Sequence, residues 1–409
     1  MVMTAAPDRY VPDSPYAWVR LALSLMLATV ACVGSWSVVV VLPEVQREFG
    51  TLRGLASLPY TCMMVGFAAA AIGLGRVVDR FGVAPAIFIG AVAQGLGYVI
   101  AGFAPSIYVF ALAHALVGVG ASIGFAPLIA DISHWFVRNR GLAVAVTATG
   151  NYLAGALWSP LVQRLVAAEG WRWTHVAIGL FVLVVMALMA LAFRPRPTLP
   201  RSEGRAAAAR GAQLGVSNTT LLMALAVAGF GCCMAMAMPQ VHIVAYCADL
   251  GYGAARGAEM LALMLGLGII SRVGSGFLAD RIGALSVLMI GSGMQAVALF
   301  LYLWFDGLAS LYLISGVFGL FQGGIVPMYA LIVREYLPPE EAGAKVGLLI
   351  TATIAGMAVG GVASGWIFDW FLSYRMAFLN GLAWNAANLA IVGWLIWKRR
   401  EAGLVAVRA

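Results

Sequence analysis

The chain has 409 residues, 62% of them hydrophobic and 10% charged, with a formal net charge of +8. A mean hydropathy of +0.93 means more apolar surface than a globular core can bury, which excludes an ordinary soluble domain and makes this an integral membrane protein. The positive excess calls for no nucleic-acid partner, because most of it falls where anionic lipid headgroups lie.

Met1 to Tyr16 carries Asp8, Arg9 and Asp13 without a small-residue cleavage site, and the apolar run after it is too long for a signal-peptide core. It reads as a cytoplasmic tail. Uncharged runs able to cross about 30 Å of hydrocarbon follow at Leu21 to Pro43, Gly54 to Gly75, Gly82 to Gly102, Ser106 to Ala130, Gly141 to Gln163 and Trp173 to Phe193. Arg194 to Ser217 is then the longest polar stretch, its arginines mixed with Pro195, Pro197 and Pro200, and it reads as a flexible cytoplasmic linker. Further spans follow at Asn218 to Cys247, Met260 to Ala279, Ile282 to Phe305, Gly307 to Val333, Val346 to Phe368 and Met376 to Trp397. This predicts one bundle over residues 1–193, the linker over 194–217 and a second bundle over 218–409.

With the amino terminus inside, 18 of the 25 Lys and Arg residues fall on cytoplasmic segments, six on external ones and one, Arg272, within a span. The positive-inside rule therefore predicts a multi-pass protein of the cytoplasmic (inner) membrane with both termini cytoplasmic. Cys32, Cys62, Cys232, Cys233 and Cys247 lie in or at the ends of spans, where free thiols pack as small hydrophobes.

Gly75-Arg-Val-Val-Asp79-Arg80-Phe-Gly82 recurs 201 residues later as Gly276-Phe-Leu-Ala-Asp280-Arg281-Ile-Gly283. Gly124-x-x-Pro127 likewise answers Gly324-x-x-Pro327, and Gly141-Leu142…Gly150…Gly155 answers Gly347-Leu348…Gly356…Gly361. The chain is two copies of one unit. Gly75 and Gly276 permit close helix contact, while Asp79 and Asp280 can meet the amino terminus of a neighbouring helix. A solvated basic loop would account for Arg80 and Arg281, but not for the aspartates or the repeated spacing.

Over its whole length the chain resembles the major facilitator superfamily, in which a G-x-x-x-D-R-x-G link joins helices 2 and 3 and is echoed between helices 8 and 9. The resemblance implies an all-α membrane protein, with twelve transmembrane helices in two pseudo-symmetric six-helix bundles. It also implies that Gly75, Asp79, Arg80, Gly82, Gly276, Asp280, Arg281 and Gly283 belong to the conformational gate. Trp135-Phe136-x-Arg138-x-Arg140-Gly141-Leu142-Ala143, Arg272 four residues before Gly276, and Gly365-Trp-Ile-Phe-Asp369 before Ser373-Tyr374 are similar to the oxalate:formate antiporter and monocarboxylate transporter branch.

Arg272 interrupts an otherwise uncharged span, and eight residues back from Asp280 place it about 12 Å from the cytoplasmic loop. An arginine at that depth costs about 2.5 to 3.5 kcal/mol unless it faces water, a partner or an anionic ligand. Its fork of donors matches a carboxylate, and the resemblance implies that it binds the substrate. Snorkelling, or bonding to carbonyls of a broken helix, is the structural alternative.

Oxalate carriers add a lysine inside helix 11, and Val346 to Phe368 has none, which disfavours a dianion. Animal monocarboxylate carriers place an aspartate where this chain has Gly268. His114 and His242 are the candidate proton-coupling groups, with plain helix-to-helix hydrogen bonding as the alternative; His134 and His175 sit near span ends and read as interfacial. Trp36, Tyr152 and Tyr329, with Asn151, Gln322 and Asn385, are candidates to line the cavity, although aromatic residues also populate membrane interfaces.

These observations predict a secondary transporter for a small organic anion, a monocarboxylate first, coupled to protons or to anion exchange. Membrane lipid is the other expected partner. No metal-ligand cluster, cofactor motif, nucleotide loop or acid–base pair stands out, so no catalytic residue and no enzyme activity are expected. The alternatives are an exporter of a neutral or cationic compound, and a membrane sensor on the same fold.

Overall fold

A computed structural model describes residues 11–195, 216–337 and 339–408, and every regular element in them is helical. The spans are α1 (Pro15–Phe49), α2 (Arg53–Phe81), α3 (Val83–Gly102) and α4 (Ile107–Trp135). Next comes a 53-residue helical stretch, Arg140–Ala192. Gly170 lies within it at φ 78° and ψ 160°, a conformation closed to other residues, so the stretch is two spans, α5 (140–169) and α6 (171–192). The second half comprises α7 (Asn218–Asp249), α8 (Ala254–Ile282), α9 (Ala284–Trp304), α10 (Leu308–Tyr336), α11 (Pro339–Phe371) and α12 (Tyr374–Arg408). The twelve spans form two six-helix bundles and bring residues 11 and 408 to one face, the terminal face; the opposite one is the far face. Most of the expected linker, residues 196–215, lies outside the described residues.

Helix ends differ from expectation where charged residues continue a helix beyond the hydrocarbon. α1 begins at Pro15 rather than Leu21 and runs on through Glu44 and Arg47 to Phe49. Leaving the bilayer removes the cost of charge, not the helix.

The sequence repeat is a repeat of geometry. Gly82 and Gly283, the last glycines of the octapeptides, both take φ 84°, letting α3 and α9 start one residue after α2 and α8 stop. α4 breaks at the 3₁₀ turn Ser122–Gly124, and α10 breaks between Gln322 and Ile325, the matching place. A Cβ at Gly118 would lie 2.0 Å from the Met63 carbonyl oxygen, and one at Gly319, 201 residues on, 2.3 Å from that of Met264, which is itself 201 residues after Met63. Both halves thus use the same small-residue contact to bring two helices together, the usual solution where lipid supplies no hydrophobic drive.

The first half is fastened at the terminal face by Arg20, whose side chain is wholly buried. Its Nε and Nη2 donate to the two oxygens of Asp131 at 2.9 and 3.0 Å, its Nη1 and Nη2 to the carbonyls of Ala192 and Phe193, and it lies over the Phe193 ring. One guanidinium therefore joins α1, α4 and the end of α6. Removing either partner leaves a buried charge, so Arg20→Met or Asp131→Leu alone should cost about 3–5 kcal/mol, and the double substitution much less. Thermal unfolding of the four proteins in detergent checks this; a double variant as unstable as the sum of the singles would contradict it.

Candidate functional site

At the far face the halves are locked by contacts to the start of α2. The Asp369 carboxylate, at the end of α11, accepts from the main-chain N–H of Arg53 at 2.8 Å and of Gly54 at 2.7 Å, capping α2 from the other half. The Arg53 side chain, 5% exposed, pairs with Asp249 of α7 at 3.0 Å, donates to the Tyr374 hydroxyl of α12, and lies 4.8 Å from the centre of the Phe368 ring. A Cβ at Gly54 would fall 1.9 Å from Trp366 of α11, and one at Gly365 2.8 Å from the Cα of Gly54. Further in, Thr61 donates to the Ala358 carbonyl, and Tyr60 packs on Gly361.

Midway along, α5 meets α8. Arg272 lies ten residues before the end of α8 at Ile282, about 15 Å from it. Its Nη1 donates to the Ala148 carbonyl of α5 at 2.7 Å, and its Nε to the Gly323 carbonyl of α10 at 3.2 Å, where that helix is broken. The guanidinium lies 4.5 Å from the centre of the Tyr152 ring. The Tyr152 side chain also bonds Arg272, and no carboxylate among the described residues pairs with it. A Cβ at Gly268 would stand 2.6 Å from the Tyr152 ring, so this glycine is what lets Tyr152 lie beneath the arginine.

Three other expected residues join this region. Trp36 of α1 donates its indole N–H to the Asn151 carbonyl at 2.9 Å and to its side-chain oxygen at 3.2 Å, and lies 3.1 Å from where a Gly155 Cβ would be. Gln322, next to Gly323, accepts from Gln240 of α7 and keeps a buried Nε2 without a partner among the described residues. The Tyr60 hydroxyl is buried in the same way.

The other candidates lie away from this region. Tyr329 points into the second bundle and donates to Asn388 at 2.8 Å, while Asn385 bonds the Ser292 carbonyl. His114 is buried inside the first bundle, donating from Nδ1 to the Phe110 carbonyl, with the His175 ring 5.6 Å away. His175 is buried, not interfacial, because its ring turns inward onto Tyr98 and Phe110. His242 donates from Nε2 to the Gly361 carbonyl at 2.8 Å, and its ring centre stands 6.1 Å from that of Tyr374, beneath the far-face lock. His134 is exposed. Asn151, Trp36, Tyr152 and Arg272 are thus brought together, with Gln322 at the same helix break; Tyr329 and His114 are not.

Toward the terminal face the bundles diverge. A Cβ added at Gly73, Gly75, Gly141, Gly274, Gly276 or Gly347 would meet nothing within 4 Å, so the expected close contact at Gly75 and Gly276 is absent in this conformation. Arg80, Asp280 and Arg281 are exposed. The site is sealed from the far face and open toward the terminal one. The lock is not legible in the sequence, where Asp369 and Tyr374 stand in a recognisable motif but their partner Arg53 reads as one more loop arginine.

A sequence model described as Major Facilitator Superfamily matches residues 24–318 and 269–406. Among individual relatives, the MFS transporter asaE of Aspergillus flavus is 26% identical over 71% of this chain and 66% of its own length. Monocarboxylate transporter 13 of Bos taurus is 27% identical over 76% of this chain and 74% of its own. The chain thus spans about two thirds of the fungal relative. Among solved structures, a bacterial homolog of the human lysosomal transporter Spinster, inward-facing and unoccupied, superposes with a TM-score of 0.70, 14% identity and coverage of 95% of this chain and 97% of that one.

Gly54→Ala should force Trp366 aside and open the far face. With the five native cysteines replaced by alanine and Thr61→Cys as reporter, labelling by an impermeant maleimide from the far side should rise about tenfold, equivalent to about 1.4 kcal/mol. Adding Trp366→Ala should return it toward the starting rate. Unchanged labelling in Gly54→Ala would show that the glycine contact does not hold this face shut.

Proposed function

Because the chain belongs to the major facilitator superfamily, we propose that it is a secondary transporter moving a small organic anion, in the first place a monocarboxylate, by alternating access through one site between its halves. Arg272 is the side chain that binds the carboxylate. The observation carrying this reading is a guanidinium at mid-depth on the seam, satisfied by carbonyl dipoles but by no opposite charge among the described residues. Carbonyls fill donors without neutralising the cation, so an entering carboxylate gains the full charge-assisted pair by taking Nη2 and displacing Ala148 from Nη1. Trp36, Asn151, Tyr152 and Gln322, with Gln240, form the wall around it. The name of the bovine relative points to the same cargo class.

The excess of Lys and Arg on one face supports placing the terminal face in the cytoplasm, which makes the conformation described an inward-facing one. The links Gly75–Gly82 and Gly276–Gly283 would then close the cytoplasmic side as the Arg53–Asp369 lock releases the other. A second reading has a specific observation in its favour: Arg272 spends two donors on opposite halves, as a strap would, leaving a neutral or cationic cargo to be exported past it.

Counterflow in proteoliposomes with labelled formate, acetate, lactate, pyruvate and oxalate separates the readings. Losing a hydrogen bond to a charged group costs about 1.5–3 kcal/mol, so Arg272→Gln should weaken monocarboxylate exchange about tenfold to a hundredfold, with Arg272→Lys between it and wild type. Oxalate should remain the poorest cargo. Carboxylate exchange untouched by Arg272→Gln would remove the arginine from the site and leave the strap.

A further inference from the structure

A concavity of about 1090 Å³ opens on the outer side of the first bundle, away from the seam, between the start of α3 and the ends of α4 and α6. Its walls are graded by depth. At the terminal face it is bounded by Arg194, Asp131 and His134. Phe88 lies five residues into α3, and Leu191, Leu188 and Val184 follow back along α6, all four between 52% and 61% exposed. Nine residues separate Val184 from Phe193, about 14 Å of helix, close to the hydrocarbon depth of one leaflet.

The charge at the mouth is also resolved. Asp131 has both oxygens bound by Arg20, so its charge is already matched. Arg194 is exposed and makes no ion pair among the described residues. Among the described residues the mouth therefore carries one uncompensated positive charge where α6 leaves the membrane, above an apolar trough one leaflet deep.

We propose that this groove holds a single phospholipid with an anionic headgroup, its phosphate on Arg194 and an acyl chain against Phe88, Leu188 and Val184. The bound lipid lies against Phe81, the last residue of α2, against Gly82 in the link that follows, and against the Arg20–Asp131 clasp. Through Phe81 and Gly82 it touches the link that must shift if the bundles rock, while the clasp stays fixed within its bundle. Nothing in this assignment depends on the cargo proposed above.

Native mass spectrometry of the full-length protein released from detergent tests it, with dioleoyl phosphatidylglycerol, dioleoyl phosphatidylcholine and soluble glycerol phosphate as the three probes. Wild type should retain phosphatidylglycerol in preference to phosphatidylcholine, and Arg194→Gln should lower that preference about fivefold, the effect of one juxtamembrane cation. Ala187→Trp, which fills the trough, should reduce retention of both lipids, and Arg400→Gln in the other half should change neither. The two groove variants act separately, so misfolding of one leaves the other decisive. An unaltered preference in Arg194→Gln, undiminished retention in Ala187→Trp, or displacement of the lipid by glycerol phosphate at equal concentration would each overturn the assignment.

Discussion

A cation in hydrocarbon must be answered by something, and how Arg272 is answered organises the interior of this protein. Its neighbours supply dipoles and a π face: Ala148 from one half, Gly323 from the other, and the Tyr152 ring at 4.5 Å. Hydrogen bonds to carbonyls make the side chain tolerable at that depth while leaving its charge unbalanced. The contrast with Arg20 is instructive. There a carboxylate completes the pair, two carbonyls take further donors, and the result is a fixed clasp within one bundle. At Arg272 no carboxylate among the described residues completes a pair, and the partners belong to bodies that must separate if the protein works by alternating access.

The same opposition of fixed and breakable contacts runs along α2 and α11. At the far face Asp369 caps the start of α2 with two main-chain bonds, and Trp366 fills the notch above Gly54. At the terminal face the corresponding helix ends stand apart, with open space beside Gly73, Gly75 and Gly347. A carboxylate at a helix amino terminus suits such a joint, because part of its stabilisation comes from partial charges rather than from a fully desolvated ion pair, and water can replace it when the joint opens. The sequence repeat had drawn attention to aspartates at the other end of α2 and α8. The lock seen in this conformation uses an aspartate outside the repeated octapeptide.

Much of the fold was legible in the chain because it rests on one-dimensional signals: apolar run length, the octapeptide repeat and the distribution of arginine. The depth of Arg272 followed from counting along one helix. Helical phase and cross-bundle partnership did not follow from it. Tyr329 and Tyr152 both sit in long apolar helices, yet one bonds Asn388 within its own bundle and the other faces Arg272. Arg53 and Asp369 are 316 residues apart, and nothing near either one announces the other. His175 was misplaced because closeness to a span end says nothing about which way the ring turns; it turns inward, onto His114 and Tyr98.

Two departures from the pattern that the sequence resembles have a counterpart in the geometry. An aspartate in place of Gly268 would need a Cβ 2.6 Å from the Tyr152 ring, so a titratable group there and the stacking of Tyr152 on Arg272 exclude each other in this conformation. α11 is equally committed. Gly356 and Gly360 approach carbonyl oxygens of α7 so closely that their Cβ atoms would fall 2.3 and 2.8 Å away, and Gly361 lies under Tyr60. A helix packed through glycines on two sides, with no basic residue between Val346 and Phe368, offers no second cation for a dianion. If Arg272 receives the cargo as proposed, its one charge is matched by one carboxylate, and a second carboxylate would enter the low-dielectric seam with nothing to balance it.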